Sequence, residues 1–377
     1  MNADPTDPLP LAQALIACPS VTPADAGAQD VLADFLESLG FTVTRLRFGE
    51  IENLFARIGT GAPHLCFAGH TDVVPAGDTS AWTGSAFSGE VRDGVLYGRG
   101  AVDMKGGIAA FAAAAAQHLA AATLHGSISL LITGDEEADA IDGTAKVLEW
   151  MQTNGQIPDF CLVGEPTSQI SLGDVIKIGR RGSMTAKITV HGKQGHAAYP
   201  HRVDNPVHRL ARAIAAMIAA PLDAGSAWFE PSSLQVTTFD VGNPASNVVP
   251  AAARATLNIR FNDLHTSSAL DGWLRATLAQ YAGRFEMETS VSGESFLTTP
   301  GPQVDALRDA IAAATGVTPR LDTGGGTSDA RFIARYCPVA EFGLIGSTMH
   351  QIDEQVPVAE LRALAAAYGG VLRAFGV

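Results

Sequence analysis

Residues 130–142 read LLITGDEEADAID. A short, continuous apolar run closed by glycine and acids is the pattern of a strand buried on both faces, which points to a sheet covered by helices. The run ends on Asp135, Glu136 and Glu137, with Asp139 and Asp142 close behind. Adjacent carboxylates repel one another and lose solvation near a core, so they require a strong positive partner or free access to water.

The same strand type recurs in both directions along the chain. LCFAGH at 65–70, SISLLITG at 127–134, FCLVGE at 160–165 and VAEFGLIG at 339–346 alternate with helical stretches, as in an α/β domain. The tract IAAFAAAAAQHLAAATL at 108–124 is mostly alanine and includes Gln117 and His118, which predicts a packed helix rather than a membrane span. From about 180 to 294 the pattern changes to strict alternation. One face takes Met184, Ala186, Ile188 and Val190, then Ala255, Leu257, Ile259 and Phe261, then Phe285, Met287 and Val291. With helices at about 204–220 and 266–282 and a further strand at about 233–241, the order is β-α-β-β-α-β, the split unit of a ferredoxin-like layer. The expected organisation is therefore one domain over 1–179 and 295–377, interrupted by an inserted α+β domain over 180–294. The junctions are GRRGS and SGESFLTTPGP.

Composition narrows the function classes. At 377 residues two domains are the natural expectation, and 46% hydrophobic with 17% charged residues excludes a disordered chain. A formal net charge of −14 disfavours binding to nucleic acid or anionic membranes, so an acidic ligand would have to meet local Arg or Lys. The N-terminal stretch MNADPTDPLPLAQALIAC is acidic where a secretory signal is basic, and Cys18, Cys66, Cys161 and Cys337 are dispersed. Reduced thiols in a cytoplasmic protein fit that spacing better than disulfides or a CxxC site.

Polar residues collect where predicted strands end, the usual place for ligands in α/β domains. His70 and Asp72 follow LCFAG, Asp103 lies in YGRGAVDMKGG, Glu136 and Glu137 follow LLIT, Glu165 follows FCLVG, and His350 follows FGLIGSTM. Singly, such an Asp is a helix cap or turn former, and such a His or Glu is surface. Five strand ends furnished in this way, one with a Glu-Glu pair, point instead to zinc or a similar divalent metal, and two such ions would compensate the clustered carboxylates.

The segments GHTDVVP, GRGAVDMKGG, GDEEADAIDGT, VGEPT, HGKQGHAAYP and GGGTSDARF resemble the co-catalytic zinc aminoacylase and carboxypeptidase family, through almost the whole chain. The resemblance implies a zinc-peptidase-like catalytic domain with a mixed sheet covered by helices, and an inserted ferredoxin-like lid domain that also mediates dimerisation. It implies two zinc ions per subunit, at a site that cobalt could also fill. Asp103 would bridge them, His70 and Glu165 would complete one, and Glu137 and His350 the other. Asp72 would orient the His70 imidazole, and Glu136 would act as general base toward a metal-bridged water. His196, in the inserted domain, corresponds to a histidine that reaches the partner subunit's active site and stabilises the oxyanion.

Within the family, GRRGS, QGHAAYPH, TGGGTSDARF and STMHQIDE are most similar to the branch that removes succinyl groups from N-succinyl-L,L-2,6-diaminopimelate in bacterial lysine synthesis. Ser246 before Asn247 and Val102 before Asp103 depart from its pattern and leave the metal set intact. Arg180, Asn247 and Arg260 are the candidates for the substrate carboxylates, and Gly325 and Ser328 for backbone and hydroxyl contacts around it. An acetylornithine deacetylase shares every metal residue and is the alternative, because pocket residues rather than ligands select the acyl group. A catalytically silent metal-binding protein is a third reading, against which the presence of Glu136 argues.

Overall fold

The computed structural model describes residues 4–377; Met1, Asn2 and Ala3 of the N-terminal stretch lie outside the described residues. The continuous apolar runs form the middle of the larger sheet. His64–His70, Ser127–Thr133 and Phe160–Val163 are buried along their whole length. His64–His70 lies between the other two and parallel to both, with His70 opposite Thr133 and Ala68 opposite Val163. Val339–Glu341 continues this parallel set, with Glu341 opposite Val163. The carboxyl ends of all four strands therefore open along one edge, where a chain leaving the sheet can place polar groups.

Among the described residues this sheet has eight strands, in the order Thr42–Phe48, Ile51–Ile58, Ser127–Thr133, His64–His70, Phe160–Val163, Val339–Glu341, Val175–Lys177 and Arg320–Asp322. It is mixed, because Ile51–Ile58 runs antiparallel to both its neighbours and Val339–Glu341 meets Val175–Lys177 antiparallel. The alanine-rich tract forms the helix Lys105–Ala121, buried on every side from Lys105 to Ala116. Small side chains let it pack against Pro8–Ile16, Val358–Ala374 and the strand His64–His70. Phe111 stacks on Phe67 at 4.4 Å, and the Tyr368 ring meets both edge-on. Among the described residues, no helix is long and apolar enough to cross a membrane.

Two glycines allow a close approach next to Glu165. A Cβ on Gly107 would lie 2.8 Å from the Gly164 carbonyl, and one on Gly164 would lie 2.3 Å from the Phe67 ring. The start of the buried helix therefore rests directly on the strand end that precedes Glu165.

The chain divides into two compact units, one of residues 1–178, 298–322 and 328–377, the other of 179–297 and 323–327. The second unit contains an antiparallel sheet in the order Ser233–Asp240, Ala252–Phe261, Gly182–His191, Phe285–Gly293. Helices Pro206–Met217 and Ser267–Tyr281 complete a β-α-β-β-α-β order; Asn205 caps the first through the Val207 N–H, and Thr266 caps the second through that of Ala269. The expected inward residues of its two central strands, Met184, Ala186, Ile188, Val190, Ala255, Leu257, Ile259 and Phe261, are all buried. Val291 departs from the expectation. It pairs with Met184 and so shares the core face, yet it is 45% exposed, on an edge strand and outside the core cluster that includes Met287.

Candidate metal centre

The parallel strand ends, together with the loops before Lys105 and after Thr348, bring the polar residues to one place. His70, the last residue of its strand, is 1% exposed. Its Nδ1 lies 2.9 Å from the backbone carbonyl of Asp72. A carbonyl only accepts, so Nδ1 carries a proton, and in the neutral ring Nε2 keeps its lone pair. That Nε2 is 3.2 Å from Asp103 Oδ1 and 3.9 Å from Glu165 Oε1. The other oxygen of Asp103, Oδ2, is 3.2 Å from His350 Nε2, which in turn is 2.9 Å from Glu137 Oε1. One carboxylate thus faces two groups of donors, His70 with Glu165 and His350 with Glu137, and each trio is close enough to share an ion.

The electrostatics state the same need. Asp72, Asp103, Glu136, Glu137 and Glu165 gather around two imidazoles. Among the described residues no lysine or arginine pairs with Asp103, Glu136, Glu137 or Glu165. Lys105, buried close by in the chain, donates to the Cys18 carbonyl at 2.7 Å. Burial works against a charged His70, yet the Asp103 hydrogen bond and the charges of Asp72 and Glu136 carry its pKa well above the usual range. Hydrogen bonds to Asp103 and Glu137 push His350 up to about 10. Burial, then the charges of Asp103 and Glu136, raise Glu165 well above a normal carboxylate. Burial also raises Glu136, to about 8, with Asp329, Glu137 and Asp103 adding to the effect and His70 opposing it. Two protonated imidazoles would neutralise only part of this charge. The set of carboxylate oxygens and imidazole nitrogens fits a pair of divalent cations.

Asp72 does more than the sequence suggested. Its carboxylate is 3.6 Å from His70 Nδ1, and the imidazole is held by its carbonyl instead. The carboxylate accepts the N–H groups of Glu136 and Glu137, at 3.0–3.2 Å, and the Thr22 hydroxyl at 2.7 Å. It therefore sets the turn from which the Glu-Glu pair projects. Nothing in the sequence near Thr22 signals this contact, which spans 50 residues. Asp135 shapes the following turn by accepting from the N–H groups of Ala140, Ile141 and Asp142. His350 is half-exposed and has φ 62°, a left-handed conformation that only surrounding contacts can hold in a non-glycine residue.

The remaining candidates divide between the two units. Ser328, in the first, is buried, and its hydroxyl donates to Glu341 at 2.8 Å. In the second unit, His196 and Asn247 are exposed neighbours: the Ala197 N–H donates to the Asn247 carbonyl at 2.8 Å, and His196 pairs with Val248. Arg260 is half-buried and donates to Asn258 at 3.2 Å, whereas Arg180 is buried and donates to the Gly326 carbonyl at 2.9 Å. Gly325 is exposed, with φ 96°.

Comparison with known proteins adds an independent observation. The model of peptidase family M20/M25/M40 matches residues 66–374. A curated relative from Gluconacetobacter diazotrophicus is 61% identical over 97% of this chain and 96% of its own length. Another from Acidiphilium cryptum is 59% identical over 97% and 98%. Both are named succinyl-diaminopimelate desuccinylase. Among solved structures, aminopeptidase PepT from Bacillus cereus has a TM-score of 0.81 at 20% identity over 99% of each chain. A dinuclear metal-binding peptidase of family M20 from Bacillus subtilis has a TM-score of 0.73 at 16% identity, also over 99% of each. These two share the fold, a mixed sheet with helices. With its family model covering the site from before His70 to beyond His350, the chain belongs to the M20/M25/M40 peptidase family.

Proposed function

We propose that this chain hydrolyses the amide of N-succinyl-L,L-2,6-diaminopimelate, releasing succinate and L,L-diaminopimelate, with two zinc ions bound in each subunit of a homodimer. One observation carries the substrate assignment: relatives 55–61% identical over nearly the whole chain bear the desuccinylase name. The donor geometry supports the metal assignment. His70 and Glu165 would hold one ion, Glu137 and His350 the other, with Asp103 between them. When bound, the ions supply positive charge that polarises an amide carbonyl and acidifies water.

The remaining work falls to side chains. Glu136, close to the donors and assigned to neither ion, accepts a proton from the water that attacks the carbonyl carbon. As the C–N bond breaks, it returns that proton to the leaving nitrogen. Asp72 holds Glu136 and Glu137 in their separate roles through their backbone N–H groups. The substrate's carboxylates are assigned to Arg180, Asn247 and Arg260, and its positioning to Gly325 and Ser328. His196 is assigned to the oxyanion in the partner subunit's site.

The test offers N-succinyl-L,L-diaminopimelate and N-acetylornithine in parallel to metal-stripped protein, with and without zinc. Zinc-dependent release of succinate with little deacetylation is the expected result. Preference for the acetyl amide would move the protein to a sister activity, and no turnover on either would refute the enzymatic reading.

A further inference from the structure

Behind the donors lies an ion pair that the catalytic scheme does not use. Arg99 and Glu354 are 2% and 0% exposed, and Arg99 Nη1 is 2.6 Å from Glu354 Oε2. The other oxygen, Oε1, accepts three backbone N–H groups, from Gly100 at 3.1 Å, Val102 at 2.8 Å and Asp103 at 3.1 Å. The Nε of Arg99 has no partner among the described residues, while its Nη groups also donate to carbonyls of two other loops. They are His350 and Pro75 at 3.3 Å from Nη2, and Gln351 at 3.2 Å from Nη1. A single buried pair thus grips the backbone of Asp103, the backbone of His350, and the segment that follows His70 and Asp72.

Stability alone is a weak reason for such an arrangement. Desolvating two charges offsets most of their attraction, and apolar replacements of buried pairs are often neutral or better. What an apolar pair could not supply is directional bonding to both ligand-bearing loops. The left-handed backbone of His350 also needs an external hold, and the Arg99 hydrogen bond to its carbonyl provides one.

We propose that the Arg99–Glu354 pair is a positioning device, fixing the separation of Asp103 and His350 so that the two donor groups bind metal tightly. This rests on the two-ion reading above. Neither residue touches substrate or ion; both act through the backbone of residues that do.

The experiment measures zinc stoichiometry and affinity by chelator competition in the full-length protein and in Arg99→Lys and Glu354→Gln, alongside thermal unfolding of the metal-stripped forms and separate kcat and KM values. Arg99→Lys keeps the charge and loses the fork; Glu354→Gln keeps the volume and one acceptor oxygen, so it remains informative if the first variant does not fold. Phe160→Leu, in the sheet core, serves as a control for destabilisation alone. Zinc affinity is expected to fall about 10- to 100-fold in the pair variants, the range seen when groups supporting metal ligands are removed, with kcat reduced more than KM. Phe160→Leu should lower the unfolding temperature and leave zinc affinity unchanged. Wild-type affinity and kcat in folded Glu354→Gln would overturn the proposal, as would an equal loss of affinity in Phe160→Leu. A wild-type protein that binds no zinc would instead overturn the two-ion reading beneath it.

Discussion

Glu136 and Glu137 are neighbours in the chain with different surroundings, and their separation is a test at the scale of one residue. Glu137 is bonded to His350 at 2.9 Å, whereas Glu136 is half-buried and raised to about 8 by desolvation and, after it, by neighbouring acids. Glu136→Gln is therefore expected to lower kcat by about 10²- to 10⁴-fold, the usual range for a general base, with both metal equivalents still bound. Glu137→Gln should lose metal, so metal analysis of the two purified variants separates the roles. A second residue-scale prediction lies away from the site. Burial, with the nearby Arg57 charge, lowers His64 from 6.5 to about 4. The native state then keeps it neutral while the unfolded chain takes up a proton, so its contribution is complete above pH 6.5 and is lost as pH falls toward 4. The loss amounts to about 3 kcal/mol, at about 1.36 kcal/mol per pH unit between the two values. Urea titrations of wild type and His64→Gln between pH 7 and 4 should show a shallower acid loss in the variant. Asp103 and His350 lie in loops and joined the set through the family resemblance, whereas the gathering of His70, Glu137 and Glu165 was legible in the sequence because each comes just after or at a strand end. The clasp of Asp72 on the Glu136 and Glu137 backbone was not, since an acceptor bonding to backbone N–H groups leaves no mark on the residues that donate.

At the scale of elements, legibility follows length. His64–His70 and Ser127–Thr133 announce themselves through seven buried residues each. Val175–Lys177 and Arg320–Asp322 have three apiece, too few for any period to emerge, and only pairing with each other and with neighbours makes them strands. The alanine tract was legible as a helix but not its partner surface, because alanine packs equally well on any side. That surface includes the contact of Gly107 with the Gly164 carbonyl, next to Glu165. Gly107→Ala gains helix propensity, worth about 1 kcal/mol in an exposed helix. Here the added methyl would sit 2.8 Å from a backbone oxygen that cannot rotate away. Overpacking should win, with a net loss of about 1–3 kcal/mol in urea unfolding and weaker metal retention than wild type. A more stable variant would show that the helix can shift without cost.

For the whole molecule, the homodimer proposed above makes a testable claim about which subunit's His196 would serve which site. His196 is exposed on the second compact unit, its Nδ1 accepting the Ala198 N–H and its ring 5.5 Å from that of Tyr199, and no acid among the described residues pairs with it. An exposed imidazole with one nitrogen spoken for has its other free to donate to a ligand brought against it. If it acts in the partner subunit's site, two inactive proteins can repair one another. His196→Ala retains Glu136, and Glu136→Ala retains His196. In an equimolar mixture that exchanges subunits freely, half the dimers are mixed, and each has one complete site, so about a quarter of wild-type activity should return. If His196 serves its own chain, every site in every mixture lacks one of the two groups and nothing returns. Measuring succinate release before and after mixing, with sedimentation or light scattering to establish that dimers form and exchange, decides between these arrangements. Recovery would make the dimer the catalytic unit, and its absence after demonstrated exchange would confine catalysis to a single chain.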